Sequence, residues 1–168
     1  MKKIFIISAL YFWTSFVQIS AQIAINNSNI NSFAVLDFPL GTKKGIILPI
    51  IETLPNNAVN GTILMDKNDM KIKMKQNGLW VEMSGLGSIA GINFNTSSEN
   101  ANTSLIIGAS SSTATGALVL ESTTKALILP KIASPHLNVK SPRAGMICYD
   151  TVSNTMAIFD GVNWNYWK

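Results

Sequence analysis

A nine-residue pattern that occurs twice constrains the fold of this chain more than any other feature. Residues 43–51 read KKGIILPII and residues 124–132 read TKALILPKI, so the pattern recurs after 81 positions. Each copy has a lysine, a small residue, three branched aliphatic residues and a proline. Such self-similarity at a fixed period is the signature of a repeated structural unit. The chain is therefore predicted to consist of two copies of one small unit.

Other landmarks follow in the same order in both copies. An apolar stretch precedes the pattern, at 34–38 and again at 117–121, and a polar, proline-bearing connection follows it. A strand pattern then opens on glycine and ends on aspartate, and each copy closes with a tryptophan. The landmarks are Lys44, Pro49, Gly61, Asp66 and Trp80 in the first copy, and Lys125, Pro130, Gly145, Asp150 and Trp164 in the second. This shared order indicates a duplication.

The local patterns are those of strands and turns. Residues 71–75 read KIKMK, which places Ile72 and Met74 on one face of a strand and three lysines on the other. Asn77-Gly78 and Asp160-Gly161 are two-residue hairpin signals, since both central positions of such turns need positive φ. The mature chain shows no helical period, and the proline-bearing connections hold one helical turn at most. We predict an all-β fold.

Two questions about this fold stay open at the level of sequence. The two hairpin signals are offset by one residue relative to the tryptophans, so Trp80 and Trp164 face the same way only if a bulge corrects the register. The pattern also leaves open whether these tryptophans are core or exposed. Units of about 60 residues bury little apolar surface, so we expect the two copies to be completed by oligomerisation.

The ends of the chain give its organisation. Lys2 and Lys3 precede an apolar run at 4–17 and small residues at 19–21, which is typical of a secretory signal cut before Gln22. An uncleaved anchor is less favoured, because the run is shorter than the roughly 20 apolar residues of a membrane span. The predicted domains are a signal peptide at 1–21, a first β repeat at 22–83, a linker rich in Gly, Ser and Asn at 84–104, and a second β repeat at 105–168. Ile89, Ile92 and Phe94 allow a short strand within the linker. The protein is expected to be secreted or to lie on the outer cell surface.

Composition excludes several classes of partner. Charged residues are only 13% of the chain, which is low for a soluble monomer and indicates surface buried against copies of the same chain. The net charge is +4, and two of the lysines lie in the predicted signal, so no basic stripe points to nucleic acid. Cys148 is the only cysteine and cannot form an internal disulfide. Its strand context, MICYD, predicts a buried, inert thiol.

The sequence offers no catalytic constellation. His136 is the only histidine, and without a second His or a cysteine cluster it makes a zinc site or a catalytic triad very weak hypotheses. Asp66, Asn68 and Asp69 crowd oxygen ligands as calcium loops do, but no glycine or distal Glu follows at the required places. We prefer to interpret Asp66 and Asp150 as caps of the turns after their strands. The prediction is a protein with no enzymatic activity, cofactor or metal.

The C-terminal aromatic cluster is the one candidate ligand site. Trp164, Tyr166 and Trp167 alternate with Asn163 and Asn165. Exposed Trp and Tyr beside amides can bind sugars by stacking and hydrogen bonding. The alternative is that Trp164 fills the core of its hairpin, because a tryptophan also closes the first copy at Trp80.

The residues that carry the repeat also resemble a known family. The stretch ALVLESTTKALILPKI, followed by SPRAGMICYD and then by FDGVNW, resembles a repeat of secreted surface proteins of Bacteroidetes-type bacteria. The resemblance covers residues 117–167 well and 34–83 less well. It departs from the pattern where Ile50 and Lys131 replace the family's arginine, and where Met65 replaces its tyrosine.

This resemblance implies a tail-fibre-like or adhesin-like protein, and by analogy with fibres a homo-trimer. We therefore predict a secreted or cell-surface, non-enzymatic structural or interaction protein with a surface glycan or a protein as its partner. The alternative is a carbohydrate-binding module that uses the C-terminal aromatic cluster.

Overall fold

The computed structural model describes residues 22–26, 33–94 and 104–168. The predicted signal peptide at 1–21 and most of the predicted linker's C-terminal half lie outside these residues. The described residues form fourteen strands and one helical turn, which confirms the all-β prediction. The strands of the first half are β1 Ile23–Ala24, β2 Ala34–Asp37, β3 Ile46–Ile47, β4 Ile50–Ile51, β5 Ile63–Asp66, β6 Lys71–Gln76 and β7 Leu79–Glu82. Those of the second half are β8 Leu105–Ile107, β9 Leu118–Leu120, β10 Ala126–Leu127, β11 Lys131–Ile132, β12 Met146–Asp150, β13 Thr155–Phe159 and β14 Trp164–Trp167.

The two copies have the same sheet topology, as the duplication predicts. The first copy has a sheet in the order β4-β5-β6-β7, and the second has β11-β12-β13-β14. In each, the first two strands are parallel and the remaining pairs are antiparallel hairpins. The Pro49 carbonyl accepts the Met65 N–H at 3.0 Å, and the Pro130 carbonyl accepts the Tyr149 N–H at 2.9 Å. The repeated prolines therefore mark the same bond in both copies.

The landmark glycines form the same bulge in both copies. Gly61 and Gly145 have φ of +90° and +83°, where a residue with a side chain is strained. The Gly61 N–H donates to the Lys75 carbonyl, and the Lys75 N–H donates to the Thr62 carbonyl, so two residues of one strand oppose one of the next. This is the arrangement of a glycine bulge, which bends and twists a hairpin.

The two copies do not form separate domains, because each contributes a strand to a sheet of the other. Strand β3 of the first copy pairs antiparallel with the start of β12, with Ile46 opposite Ile147. Strand β10 of the second copy pairs parallel with β2, with Ala126 opposite Ala34. The domain bounds drawn from the sequence stay a prediction, and backbone pairing crosses them.

The largest core cluster is shared by the two sheets. Its buried members are Leu48, Met65, Ile72 and Met83 from the first copy, and Ala144, Ile147 and Ile158 from the second. Ile72 and Met74 point towards this core, while the lysines at 71, 73 and 75 lie on the other face, as the alternation predicts. Apolar faces of two small sheets thus cover each other, which is how units of this size gain a core.

The segment after β7 joins this core without forming a strand. Ile89 and Ile92 pack against the shared cluster, and the Ile92 N–H donates to the Ile89 carbonyl in a turn. The Gly87 N–H donates to the Met70 carbonyl, and the Ser88 N–H donates to the Asp160 carbonyl. The described part of the predicted linker is therefore bound to both copies.

Helical structure in the described residues is one turn, α1 Pro135–Asn138, as expected for a proline-bearing connection. Ser134, before it, has φ of +46°, and its N–H donates to the Asp150 carboxylate. No helix in the described ranges is long and apolar enough to cross a membrane.

Candidate functional site

The hairpin that presents the aromatic cluster turns one residue later than the sequence signal suggests. The Asp160 N–H donates to the Asn163 carbonyl, so Gly161 and Val162 are the central residues, and only Gly161 has positive φ, at +99°. The Asp160 carboxylate accepts the N–H groups of Val162 and Asn163, at 2.8 and 2.7 Å. This Asx turn replaces the predicted Asp160-Gly161 centre, because the short carboxylate satisfies the turn's own N–H groups.

With Gly161 and Val162 at the centre of the second turn, the two tryptophans are no longer offset relative to their turns. In the first copy Asn77 and Gly78 are the central residues, with φ of +50° and +76°, as predicted. Trp80 then lies opposite Lys75, and Trp164 lies opposite Phe159. The two tryptophans therefore occupy equivalent positions on the same face of their hairpins.

Both tryptophans are half-buried, with different neighbours. Trp164 packs against the small cluster of Ile132, Cys148 and Ala157, and its ring lies 5.3 Å from that of Phe159. In the first copy the Lys75 ammonium lies 5.1 Å from the centre of the Trp80 ring. The tryptophan thus packs on a phenylalanine in one copy and beneath a cation in the other.

A groove of about 550 Å³ opens on the outer face of the second copy. It lies between α1, the turn after β12 and strand β14. Its lining residues are Ser134, His136, Asp150, Val152, Ser153, Val162, Asn163, Trp164 and Tyr166. We call it the aromatic groove. Its lining combines aromatic and aliphatic side chains with hydroxyl, imidazole and amide groups, which suits a ligand that both stacks and hydrogen-bonds.

His136 and Tyr166 form one wall of the aromatic groove. The His136 Nδ1 and the Tyr166 hydroxyl lie 2.9 Å apart, and the rings meet edge to face with centroids 6.3 Å apart. Tyr166 is 41% exposed, so this wall is open to solvent. Burial raises the pKa of the Tyr166 hydroxyl, and the charge of Asp150 adds to this effect. No sequence pattern indicates this pair, because thirty residues separate the two.

Asp150 is the floor of the aromatic groove and is held by several donors. Its Oδ1 accepts the Ser134 and Val152 N–H groups, at 2.9 and 3.0 Å, and its Oδ2 accepts the Ser153 hydroxyl at 2.7 Å. Burial raises the pKa of this carboxyl, but these hydrogen bonds outweigh burial, and the net pKa is lowered. The structure thus places Asp150 as the cap of its turn and of the connection before α1.

The other predicted ligand residues are divided between two faces. Asn163 lines the aromatic groove, whereas the Asn165 amide donates to the Asp160 carboxylate at 2.7 Å. Trp167 packs against the shared core, and its indole N–H donates to the Met83 carbonyl at 2.5 Å. The structure therefore brings together Trp164, Tyr166 and Asn163 with His136, and places Asn165 and Trp167 elsewhere.

The equivalent corner of the first copy is filled by an ion-pair cluster. The Lys73 ammonium lies 2.6 Å from both the Asp66 and the Asp69 carboxylates, with its side chain 12% exposed. Burial raises the pKa of Asp66, but the bonds from Lys73 and Asn68 outweigh it and lower the net pKa. These acids thus face an internal cation. Across the described ranges, no three His, Cys, Asp or Glu side chains are grouped to hold a metal.

Cys148 is fully buried beside Ala157 and Ile132. Burial, together with the nearby charge of Asp150, raises the pKa of its thiol to about 12. The thiolate is the reactive form of cysteine, so this residue has the environment of an inert core thiol.

Comparison with known proteins adds one finding. Residues 91–168 match the family described as phage tail like trimerisation region. The match takes in the second copy, a little less than half of the chain. It supports a tail-fibre-like structural protein that assembles with copies of itself. No curated protein and no solved structure matches the chain.

Proposed function

We propose that this protein is exported and acts outside the cell as a non-enzymatic, fibre-like surface protein, assembled as a homo-trimer. The observation that carries the proposal is the match of residues 91–168 to a phage tail like trimerisation region. The secretory pattern of residues 1–21 and the resemblance of 117–167 to secreted surface repeats support the location.

The chemistry of the described residues agrees with a structural role. Acids that sequence patterns single out are held as turn caps, and the sole thiol of the chain is buried. Large apolar side chains stand exposed on the strands of the second copy, among them Leu105, Leu118 and Leu127. Leu105 and Leu118 lie opposite each other in β8 and β9. An exposed apolar patch of this kind is typical of a surface that another chain covers.

Export is tested by expressing the full-length chain in a Gram-negative host and measuring the intact mass of the product. We expect a mature chain that begins at Gln22. This chain should be found in the culture medium, or should be cleaved by a protease that is added to intact cells. A product that keeps residues 1–21 and remains inside the cell would contradict the proposed location.

The aromatic groove favours a second candidate function, glycan binding at the fibre surface. Trp164 offers an aromatic face, and His136, Tyr166 and Asn163 offer hydrogen-bonding groups around a volume of about 550 Å³. Stacking of a sugar on an aromatic ring beside such groups is a common mode of recognition.

A glycan array with the oligomeric protein tests this candidate. Any glycan bound should be lost in Trp164→Ala and weakened in Tyr166→Phe, which removes the hydroxyl near His136. Trp80→Ala is the matched control, since Trp80 occupies the equivalent position outside the groove. An array without a hit, or equal loss in the control, excludes the groove as a glycan site.

A further inference from the structure

Strand β12 of the second copy has one of its edges shared by two other strands. Its C-terminal half pairs with β11, with Tyr149 opposite Lys131. Its N-terminal half pairs with β3 from the first copy, and the Leu48 N–H donates to the Gly145 carbonyl at 2.9 Å. Both halves of this edge are therefore covered within one chain.

The equivalent strand of the first copy is covered along only half of the same edge. The C-terminal half of β5 pairs with β4, as β12 pairs with β11. Beside its N-terminal half, at Gly61–Ile63, the described residues place no strand. Thr62 and Leu64 face β6 in the ladder, so the N–H and carbonyl of Ile63 face outwards, as alternate residues do in an antiparallel pair.

Strand β10 is the second copy's equivalent of β3, and one of its edges also has no partner strand among the described residues. The N–H groups of Ala126 and Ile128 donate to the Phe33 and Leu36 carbonyls, so these residues face β2. Leu127 and Leu129 therefore face the other way. They are the equivalents of Ile46 and Leu48, the residues through which β3 pairs with β12.

A second pairing that one copy has and the other lacks concerns β3 and β9. In the first copy β2 lies between β1 and β10, and its Leu36, opposite Ile23 of β1, is 3% exposed. In the second copy β9 pairs with β8 only, within the described residues, and Leu118, opposite Leu105 of β8, is 42% exposed. Strand β3 would be its missing partner, and Ile47 of β3 is 46% exposed.

We propose that Gly61–Ile63 of one chain pairs antiparallel with Leu127–Leu129 of a second copy, while β3 of that first chain pairs parallel with β9 of the second. The contact repeats between chains the two strand pairings that already join the copies within a chain. It deepens the proposed homo-oligomer, on which it rests, by naming the strands that form it. Different surfaces meet in this contact, and such head-to-tail contacts give rings when the rotation closes. Three chains make a closed ring of six copies.

One difference between the copies sets where the strands meet. A Cβ on Gly45 of β3 would lie 2.6 Å from the Ile147 carbonyl oxygen and from the Met146 Cγ. Ala126 carries that Cβ in β10, and the smaller Thr62 stands at the position of Met146 in β5. The pairing between chains therefore centres on Leu127–Leu129, with the strands splayed at Ala126.

Cysteine pairs test this contact directly. Ile47 lies opposite Met146 at a site between two hydrogen-bonded rungs, and the equivalent pair between chains is Ile128 with Thr62. Such sites bring Cα atoms to about 4.5 Å, within the range of disulfides. We expect Thr62→Cys chains and Ile128→Cys chains that are refolded together from denaturant, so that they assemble into mixed particles, to give a disulfide-linked dimer on mild oxidation. Neither variant should do so when it is oxidised without the other, because Cys148 is buried.

The matched control is the double variant Ile47→Cys with Met146→Cys, which should oxidise within each chain and leave single chains on a denaturing gel. If the control oxidises and the particle is oligomeric, absence of the mixed dimer overturns this contact and leaves the homo-oligomer standing. A Thr62–Ile128 disulfide within one chain of the double variant also overturns it. A monomeric particle contradicts the proposed function itself.

Discussion

The indole N–H of Trp167 donates to the main-chain carbonyl of Met83 at 2.5 Å, and the two residues occupy equivalent positions at the ends of the two copies. Both side chains pack in the shared core. The C-terminal ends of β7 and β14 therefore lie side by side, and this hydrogen bond joins the sheets of the two copies there. A tryptophan that the sequence singled out for a ligand acts here as a structural tie.

Loss of this tie should destabilise the fold in two steps. Trp167→Phe keeps an aromatic ring in the core but leaves the Met83 carbonyl without its donor, and we expect a loss of about 1 kcal/mol in the free energy of unfolding. Trp167→Ala also removes the ring, with a loss of about 3 kcal/mol. Urea unfolding at one fixed protein concentration measures both, and a Trp167→Ala chain as stable as wild type would contradict the assigned role.

The hairpin glycines form a matched pair for the contact between Ser88 and the second hairpin. Gly78→Ala introduces a side chain at positive φ with nothing within 4 Å of its Cβ, so strain of about 1 kcal/mol is its expected cost. In Gly161→Ala the new Cβ would overlap with the Ser88 carbonyl oxygen. We expect this variant to lose about 3 kcal/mol or more in the free energy of unfolding, measured with urea. Equal losses would show that residues 87–88 do not lie against this turn.

The buried thiol of Cys148 predicts a loss of stability at alkaline pH. Because burial raises the pKa of Cys148 to about 12, the native state holds the neutral thiol while the unfolded chain ionises near pH 9. The stability from this residue is complete below pH 9 and is lost as the pH rises towards 12. Ellman's reagent at pH 8 should label Cys148 only after denaturant is added. Rapid labelling of the native protein would contradict its buried position.

The carboxylates of Asp66 and Asp150 predict a loss of stability at acid pH. The net pKa values of Asp66 and Asp150 are lowered in the folded chain, so their contribution is complete above the ordinary carboxyl pKa and is lost as pH falls through the folded values. Stability should therefore fall steeply below about pH 4. Asp150→Ala should reduce this dependence and cost about 2 to 3 kcal/mol at neutral pH, since several N–H groups lose their acceptor. Unfolding free energies across pH 2–7 measure the effect, and an unchanged acid limb in the variant would contradict it.

Much of the fold follows from short-range pattern. The repeated prolines and glycines each mark one particular hydrogen bond or bulge, so their order in the sequence predicts the order of strands in each sheet. The strict alternation of residues 71–75 likewise predicts which face meets the core. These signals depend only on a residue and its near neighbours.

The features that sequence did not predict depend on long-range contact or on one local competition. The exchange of β3 and β10 between copies joins strands about a hundred residues apart, which no periodicity encodes. The aromatic groove depends on a contact between His136 of α1 and Tyr166 of β14. The later turn at Gly161 arises because the Asp160 side chain accepts two N–H groups that a type I′ turn would leave to solvent.

The central claim is that each chain is completed by other copies of itself. Sedimentation equilibrium of the mature protein, across a range of concentrations and without denaturant, tests it most directly. We predict a single species with three times the mass of one chain and no dissociation at micromolar concentration. A particle with the mass of one chain at every concentration would contradict the account.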